Sequence, residues 1–250
     1  EREASIKQCI ETNQGEISRH LQNTRLAATH ADEPFYFPDY PLLPTRRRFW
    51  ERVLRNTDRS GTSAQLRTQL KIVFDATRET AELAIGTVVP ADFIYDQIAP
   101  DLLNTGELER EYHEIICKQR DDTAPGKLRS RLCALIFLIS KLPRTPGTDD
   151  GVRATVETLA DLLVANLSKD GAMLRQDIPR LLTQLVDTGQ LMVVEEEYRL
   201  QTREGAKWTH EFNRRRTSIL NDDMRINARR EELLREAVGL ALRPVDLHQR

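Results

Sequence analysis

The sequence predicts a mainly α-helical protein, in which a helical region is followed by a winged helix and a charged helical arm. Apolar residues recur every three or four positions through much of the chain, as they do on the buried face of a helix. Residues 128–202 read as three helices and then two short apolar strands, which is the element order of a winged helix. Residues 203–242 are densely charged and contain no proline, which is typical of a long solvated helix.

Length and charge limit the functions that are possible. The 250 residues carry a formal net charge of −2, which excludes a globally basic nucleic-acid binder and leaves only local patches. No apolar run approaches the roughly 18 residues of a membrane span, so we expect no membrane partner. The chain opens at Glu1, without methionine and inside a polar helical pattern. We interpret it as a piece of a longer protein.

The cysteines and histidines indicate neither disulfides nor a metal site. The three cysteines are widely spaced and odd in number, which suits a reducing compartment, and we expect a cytoplasmic protein. The five histidines are scattered, and His113 is interpreted as a surface residue rather than a metal ligand.

The first 122 residues divide into a helical N-terminal segment, 1–35, and a helical domain, 36–122. The N-terminal segment is weakly amphipathic and reads as helix through most of its length. A proline-rich stretch follows, and Thr45 is placed to cap the helix that begins "RRRFWERVL". Thr62 or Ser63 is placed to cap the next amphipathic helix.

The helix after Thr45 carries the densest basic cluster of the chain. Its candidate polyanion contacts are Arg46, Arg47, Arg48 and Arg52, and the cluster continues to Arg55 and Arg59. One interpretation is phosphate binding. The other is a solvated face, or pairing with carboxylates of a neighbouring subunit. Phe49 and Trp50 are interleaved as core anchors, which favours the second interpretation.

Residues 123–202 are predicted to form the winged helix. Thr155 is placed to cap its second helix, Gly189 follows its third helix, and Pro179 must begin or kink that helix. The hairpin that follows carries three glutamates at its tip. They are Glu195, Glu196 and Glu197.

A DNA-binding role for this module is disfavoured by its charge. Residues 151–202 contain five basic and eight acidic side chains, whereas a wing that follows a phosphate backbone needs cations. The third helix offers Arg175, Gln176, Arg180 and Gln184 as base readers, with Asp177 and Asp187 among them. We therefore interpret the three glutamates as part of a protein-docking wing or of a structural cap.

The charged arm, 203–250, is predicted to be one long helix that needs a partner surface. Its apolar stripe has near-heptad spacing and is formed by Trp208, Phe212, Ile219, Ile226, Leu233 and Val238. Trp208 and Phe212 are the candidate docking residues. The run Arg214, Arg215 and Arg216 is a candidate polyanion contact, although alternating acids favour a solvated helix with i,i+4 ion pairs.

No motif for chemistry within the chain can be identified. There is no G-x-x-x-x-G-K-[ST] and no G-x-G-x-x-G, so no phosphate-cradling loop is predicted. No grouping of nucleophile and base can be named either, so catalytic residues are not assigned.

Several long blocks resemble a known family, the large P-loop ATPase of BREX bacteriophage-defence systems, called BrxC (PglY-like in the phage-growth-limitation variant). The blocks are "YPLLPTRRRFWERVLRNTDRSGTSAQLRTQLKIVFDATRE", "RLCALIFLISKLPR", "GVRATVETLADLLV" and "YRLQTREGAKW". The resemblance covers most of residues 36–240. It implies an AAA+-like ATPase core upstream, followed by a helical lid at 36–122 and the winged helix.

The resemblance also implies a set of ligands and partners. Arg67 falls where a sensor-2 arginine would sit, touching the γ-phosphate of ATP and coupling hydrolysis to lid movement. Pairing of Arg67 with a nearby carboxylate such as Asp75 is the alternative. ATP and Mg²⁺ are implied for the parent protein, but this chain alone is expected to bind neither. The implied partners are other BREX subunits and further copies of the same protein.

Two interpretations from other classes remain open. One is a DNA-binding winged-helix regulator that dimerises through its arm, which a salt-sensitive affinity for duplex DNA would support. The other is a scaffold that touches neither nucleotide nor DNA, which loss of partner binding on disruption of the Trp208 and Phe212 stripe would support.

Overall fold

A computed structural model describes residues 2–57, 62–220 and 222–241 and is mainly helical, as predicted. In this part of the chain the one sheet is a two-stranded hairpin. The chain divides into two compact units, residues 1–202 and 203–250, which are described separately below.

The N-terminal segment is shorter in helix than predicted. It contains α1 (Arg2–Thr12), α2 (Gln14–Arg19), a 3₁₀ turn (His30–Asp32) and α3 (Glu33–Tyr36). Helix ends after α2 because Leu21 and Asn23 adopt left-handed φ values of 59° and 67°, which a continuing helix cannot accept.

Four helices follow: α4 (Pro44–Thr57), α5 (Thr62–Thr80), α6 (Phe93–Thr105) and α7 (Arg110–Gln119). The prediction that Thr45 caps α4 is wrong, because the helix already begins at Pro44, whose fixed φ suits the first helical position. The capping prediction for Thr62 or Ser63 falls on side chains outside the described part.

The segment predicted as a winged helix contains α8 (Ala124–Ser140), α9 (Val156–Leu163), α10 (Asp170–Asp187), β1 (Leu191–Val194) and β2 (Glu197–Leu200). Thr155 caps α9 as predicted, since its Oγ1 accepts the Thr158 N–H at 3.3 Å. Pro179 lies inside α10 rather than at its start. β1 and β2 pair antiparallel, with Leu191 opposite Leu200 and Val194 opposite Glu197.

One hydrophobic core joins the segments of the first unit. Residues 132–139 of α8 are all buried, and apolar side chains from Ile10 to Leu191 pack in the same cluster. Trp50 of α4 belongs to this core, and its Nε1 donates to the Ala91 carbonyl at 2.8 Å. The predicted segments 1–35, 36–122 and 123–202 therefore share a core.

The second unit contains α11 (Arg203–Leu220) and α12 (Asp223–Ala241), whereas one long helix was predicted. The interruption has a local cause, because the Asp222 side chain accepts the Arg225 N–H at 3.0 Å and so begins a new helix. None of the described helices, in either unit, combines the length and apolar character needed to cross a membrane.

Candidate docking surfaces and interior ion pairs

The first residue of the predicted basic cluster, Arg46, is fully buried. Its side chain is 0% exposed and donates to the backbone carbonyls of Val89 and, at 3.3 Å, Asp161. Burial lowers the pKa of Arg46 to about 9. The prediction that Arg46 contacts a polyanion is therefore wrong, since α4 directs this guanidinium into the core.

The other three candidate polyanion contacts on α4 each pair with a carboxylate of the same chain. The pairs are Arg47–Asp39 at 2.5 Å, Arg48–Asp32 at 2.6 Å and Arg52–Asp150 at 3.1 Å. This agrees with the pairing interpretation, except that the carboxylates come from the chain itself. These three guanidinium groups attract an external phosphate less strongly, because the paired carboxylates offset their charge at close range.

The Arg48 contact is the most extensive of the three. Besides Asp32, Arg48 donates to the carbonyls of Leu26 and Ala27, at 3.2 and 2.7 Å. Burial would raise the pKa of Asp32, but hydrogen bonds from Arg48 and Thr29 outweigh it, so the pKa lies below its ordinary value. Arg48 thus ties the loop after α2 to α4.

The hairpin places its three glutamates in two different environments. Glu195 and Glu196 form the two-residue turn, are exposed and have φ values of 52° and 68°. Glu197 is the first residue of β2 and is only 7% exposed. Its carboxylate meets Arg144 at 2.8 Å and Arg153 at 3.0 Å. The prediction that all three lie at the exposed tip is wrong for Glu197, because it begins the strand on the inward-facing side.

On the face of α10 that was predicted to read bases, one of the two arginines, Arg175, pairs with carboxylates of the same chain. Arg175 Nη2 lies 2.7 Å from Glu16 and 3.1 Å from Asp161. Arg180 is exposed, but it lies 3.5 Å from Asp177 of the same helix. This face therefore presents paired charges and glutamine amides rather than free cations.

Arg67 lies on an exposed face of α5, together with apolar side chains. Leu70 and Phe74 are 64% and 63% exposed. One helical turn separates each from the next, so they share this face. The Arg78 guanidinium lies 6.0 Å from the centre of the Phe74 ring. The face combines apolar area with positive charge, which is the composition of a surface that another protein covers.

Within the second unit, Trp208 and Phe212 lie one turn apart on α11, and Trp208 is 72% exposed. Of the three arginines predicted as polyanion contacts, Arg214 and Arg215 both pair with Glu211, at 2.9 and 2.7 Å. Arg216 is exposed. These i,i+3 and i,i+4 pairs are those expected of a solvated helix.

The structure also brings together polar residues to which sequence reasoning assigned no role. Tyr95 Oη lies 2.9 Å from His113 Nδ1, and the Cys117 Sγ lies 3.5 Å from His113 Nε2. His113 and Cys117 are four positions apart on α7, a spacing visible in the sequence but not used. Burial raises the pKa of Tyr95.

The second such group is buried between α2, α9 and α10. It consists of Glu16, His20 and Asp161, with Arg175 beside the two carboxylates. Burial raises the pKa of Asp161 to about 6, and it lowers the pKa of His20. The i,i+4 spacing of Glu16 and His20 was a local signal, but the contribution of Asp161 depends on the fold.

Comparison with known proteins gives no match to a family model, a curated protein or a solved structure. The resemblance to BREX ATPases stays a prediction.

Proposed function

We propose that this chain is the lid and winged-helix part of an AAA+-like ATPase of a BREX bacteriophage-defence complex, and that it acts as a protein-docking module. In this role it transmits the nucleotide state of an ATPase core to partner subunits. The observation that carries the docking role is the placement of charge: Arg47, Arg48 and Arg52 are paired within the chain, and the hairpin turn is acidic.

The winged-helix assignment is supported by the packing of residues 123–202. α8, α9 and α10 pack on one another, and the β1–β2 hairpin packs against α8 and α10. The segment before α9 lies along β2, because the Tyr198 N–H donates to the Ala154 carbonyl at 2.9 Å. A winged helix has an extended segment at this position, between its first and second helices.

Protein docking is favoured over DNA binding on electrostatic grounds. A duplex would meet Glu195 and Glu196 at the turn, and the Arg175 of α10 is already held by Glu16 and Asp161. Affinity for DNA comes largely from neutralised phosphates, and two carboxylates at the turn would repel them. A basic or polar protein surface would be attracted to the same turn.

The lid assignment is supported by α5. Its exposed Arg67 is free to reach outside the chain's own core, and Leu70 and Phe74 beside it offer an apolar contact for a neighbouring domain. The chain contains no phosphate-cradling motif, so its residues do not fit ATP and Mg²⁺ on their own. No step of hydrolysis is assigned to them.

Two measurements test the proposal. First, fluorescence anisotropy with labelled duplex DNA, from low to physiological salt, should show no binding; an affinity that falls steeply with salt would refute docking in favour of a DNA-binding regulator.

Second, co-purification with co-expressed BREX subunits should be weakened by Glu195→Lys with Glu196→Lys. The matched control is Asp101→Lys with Asp122→Lys, which changes the charge equally at exposed sites elsewhere. Equal retention by the two double variants would exclude the turn as the docking site.

A further inference from the structure

A group of three metal-ligating side chains, two buried and one partly exposed, lies between α2 and α9, away from the hairpin. One ligand atom each from Glu16, His20 and Asp161 lies within 4.8 Å of the others. Glu16 and His20 belong to one segment, and Asp161 lies more than 140 positions further along the chain. The fold, and not local sequence, therefore brings the three together.

The imidazole of His20 gives a second and independent indication of a ligand. His20 is 1% exposed, and neither of its ring nitrogens has a hydrogen-bond partner among the described residues. Its Nε2 faces Glu16 Oε1 at 3.5 Å, which is too long for a good hydrogen bond. A buried polar group without a partner is destabilising, so such a group in a folded protein calls for an explanation.

The backbone leaves room for this group. Gly171, in the first turn of α10, faces the Glu16 carboxylate so closely that a Cβ there would lie 2.7 Å from Oε1. The Leu21 N–H donates to the second oxygen of Asp161, Oδ2, at 3.3 Å, and so orients that carboxylate. Oriented carboxylates of this kind are common around metal sites.

We propose that Glu16, His20 and Asp161 bind a divalent ion of the zinc class. One imidazole nitrogen with two carboxylate oxygens is a donor set that zinc accepts, whereas magnesium and calcium prefer oxygen ligands alone. Three protein ligands leave a fourth position for water. The ion joins α2 to α9 and so fastens the N-terminal segment to the three-helix region.

In the structure, Arg175 forms ion pairs with the two carboxylates that would bind the ion. Its Nη2 lies 2.7 Å from Glu16 Oε1 and 3.1 Å from Asp161 Oδ1, and a guanidinium and a metal ion cannot share these oxygens. The Arg175 side chain is 26% exposed, so it can turn outward to solvent. Arg46 is not a competitor of the same kind, because it donates to the backbone oxygen of Asp161 and not to its carboxylate. Binding is therefore an exchange of Arg175 for the ion.

The exchange makes a prediction that distinguishes it from ordinary ligand loss. In calorimetric titration of chelator-treated protein with zinc chloride, we expect one ion per chain and no uptake of magnesium. Glu16→Gln and His20→Ala should each weaken zinc binding by more than about 100-fold, because loss of an outer-shell partner alone costs roughly 10–100-fold. Arg175→Gln should tighten it by at least about tenfold, because the competing cation is gone.

The control removes the half-buried His113 and the exposed Cys117 of α7, which could also take zinc. His113→Ala with Cys117→Ser should leave the affinity unchanged. Loss of zinc uptake in this control, or absence of uptake by the unaltered chain, would refute the site. If His20→Ala does not fold by circular dichroism, Glu16→Gln decides, since that side chain is partly exposed. An Arg175→Gln variant that binds zinc no more tightly would refute the exchange.

Discussion

The two neighbouring glutamates of the hairpin allow a sharp test of the structure. Glu197 is buried at the start of β2 and meets two arginines, whereas Glu196 is exposed in the turn. The perturbation is Glu197→Gln, which keeps the shape of the side chain and removes its charge. In the glutamine side chain one carboxylate oxygen is replaced by an NH₂ group, which cannot accept a hydrogen bond. The arginine N–H that faces this NH₂ group therefore loses its acceptor.

The size of the effect follows from the contacts. Arg144 Nη1 donates a hydrogen bond to Oε1 at 2.9 Å. Arg144 Nη2 and Arg153 Nε form ion pairs with Oε2 and Oε1, at 2.8 and 3.0 Å. A hydrogen bond to a charged group contributes about 1.5–3 kcal/mol. Both arginines are about one third exposed, at 36% and 32%, so solvent screening reduces each contribution. We expect Glu197→Gln to lower the free energy of unfolding by about 2–3 kcal/mol.

The assay is urea unfolding followed by tryptophan fluorescence in a Trp208→Phe background. Trp50 is then the only tryptophan, and it reports on the first unit because it lies in that core. Thermal unfolding should show a midpoint lower by roughly 5–10 °C. The control, Glu196→Gln, makes the same chemical change at an exposed position and should stay within about 0.5 kcal/mol of the unaltered chain. Equal effects of the two variants would show that Glu197 is not buried between the arginines.

Three further predictions use the same unfolding and fluorescence measurements. Glu195→Asn with Glu196→Gly should raise the free energy of unfolding by about 1–2 kcal/mol, since both positions have left-handed φ values that Asn-Gly accepts readily. The depressed pKa of Asp32 stabilises the fold above the ordinary value of 3.8 and ceases to do so as the pH falls below it. Asp32→Asn should therefore be less stable than the unaltered chain at pH 7, and the difference in the free energy of unfolding should narrow as the pH falls below 3.8; a difference that stays constant over this range would contradict this. In a Trp50→Phe background, acrylamide should quench Trp208 strongly in dilute protein, and protection that grows with protein concentration would indicate self-association through α11.

Local patterns predicted the element types well, because the spacing of apolar residues and the caps are contained in short stretches. The helix capped by Thr155 and the hairpin after Gly189 are examples. The interruption between α11 and α12 also had a local signal, since the acidic residue Asp222 is a good helix cap, but the continuous apolar stripe outweighed it.

The burial of charges could not be predicted in the same way. Arg46 and Arg47 are adjacent and chemically identical, yet one lies in the core and the other pairs with Asp39 near the surface. Which of them turns inward depends on where α4 begins and on what packs against it, and both are long-range properties. A shift of the helix by one residue would place Arg47 where Arg46 lies. For this reason a cluster that is continuous in the sequence divides in the structure into one buried arginine, Arg46, and three that pair with carboxylates of the chain, Arg47, Arg48 and Arg52.

The exposed surfaces that remain differ in chemistry, and this difference bears on the proposed role. The turn at Glu195 and Glu196 is acidic, the α5 face around Arg67 and Phe74 is apolar and basic, and α11 presents Trp208. A DNA-binding regulator needs one continuous cationic surface, because its affinity depends on several phosphates at once. A module that joins different proteins needs separate surfaces of different character, because each partner is selected by its own complementarity. Among the described residues the distribution of charge meets the second requirement, since Arg47, Arg48 and Arg52 are paired within the chain and the exposed groups change sign and polarity from one surface to the next.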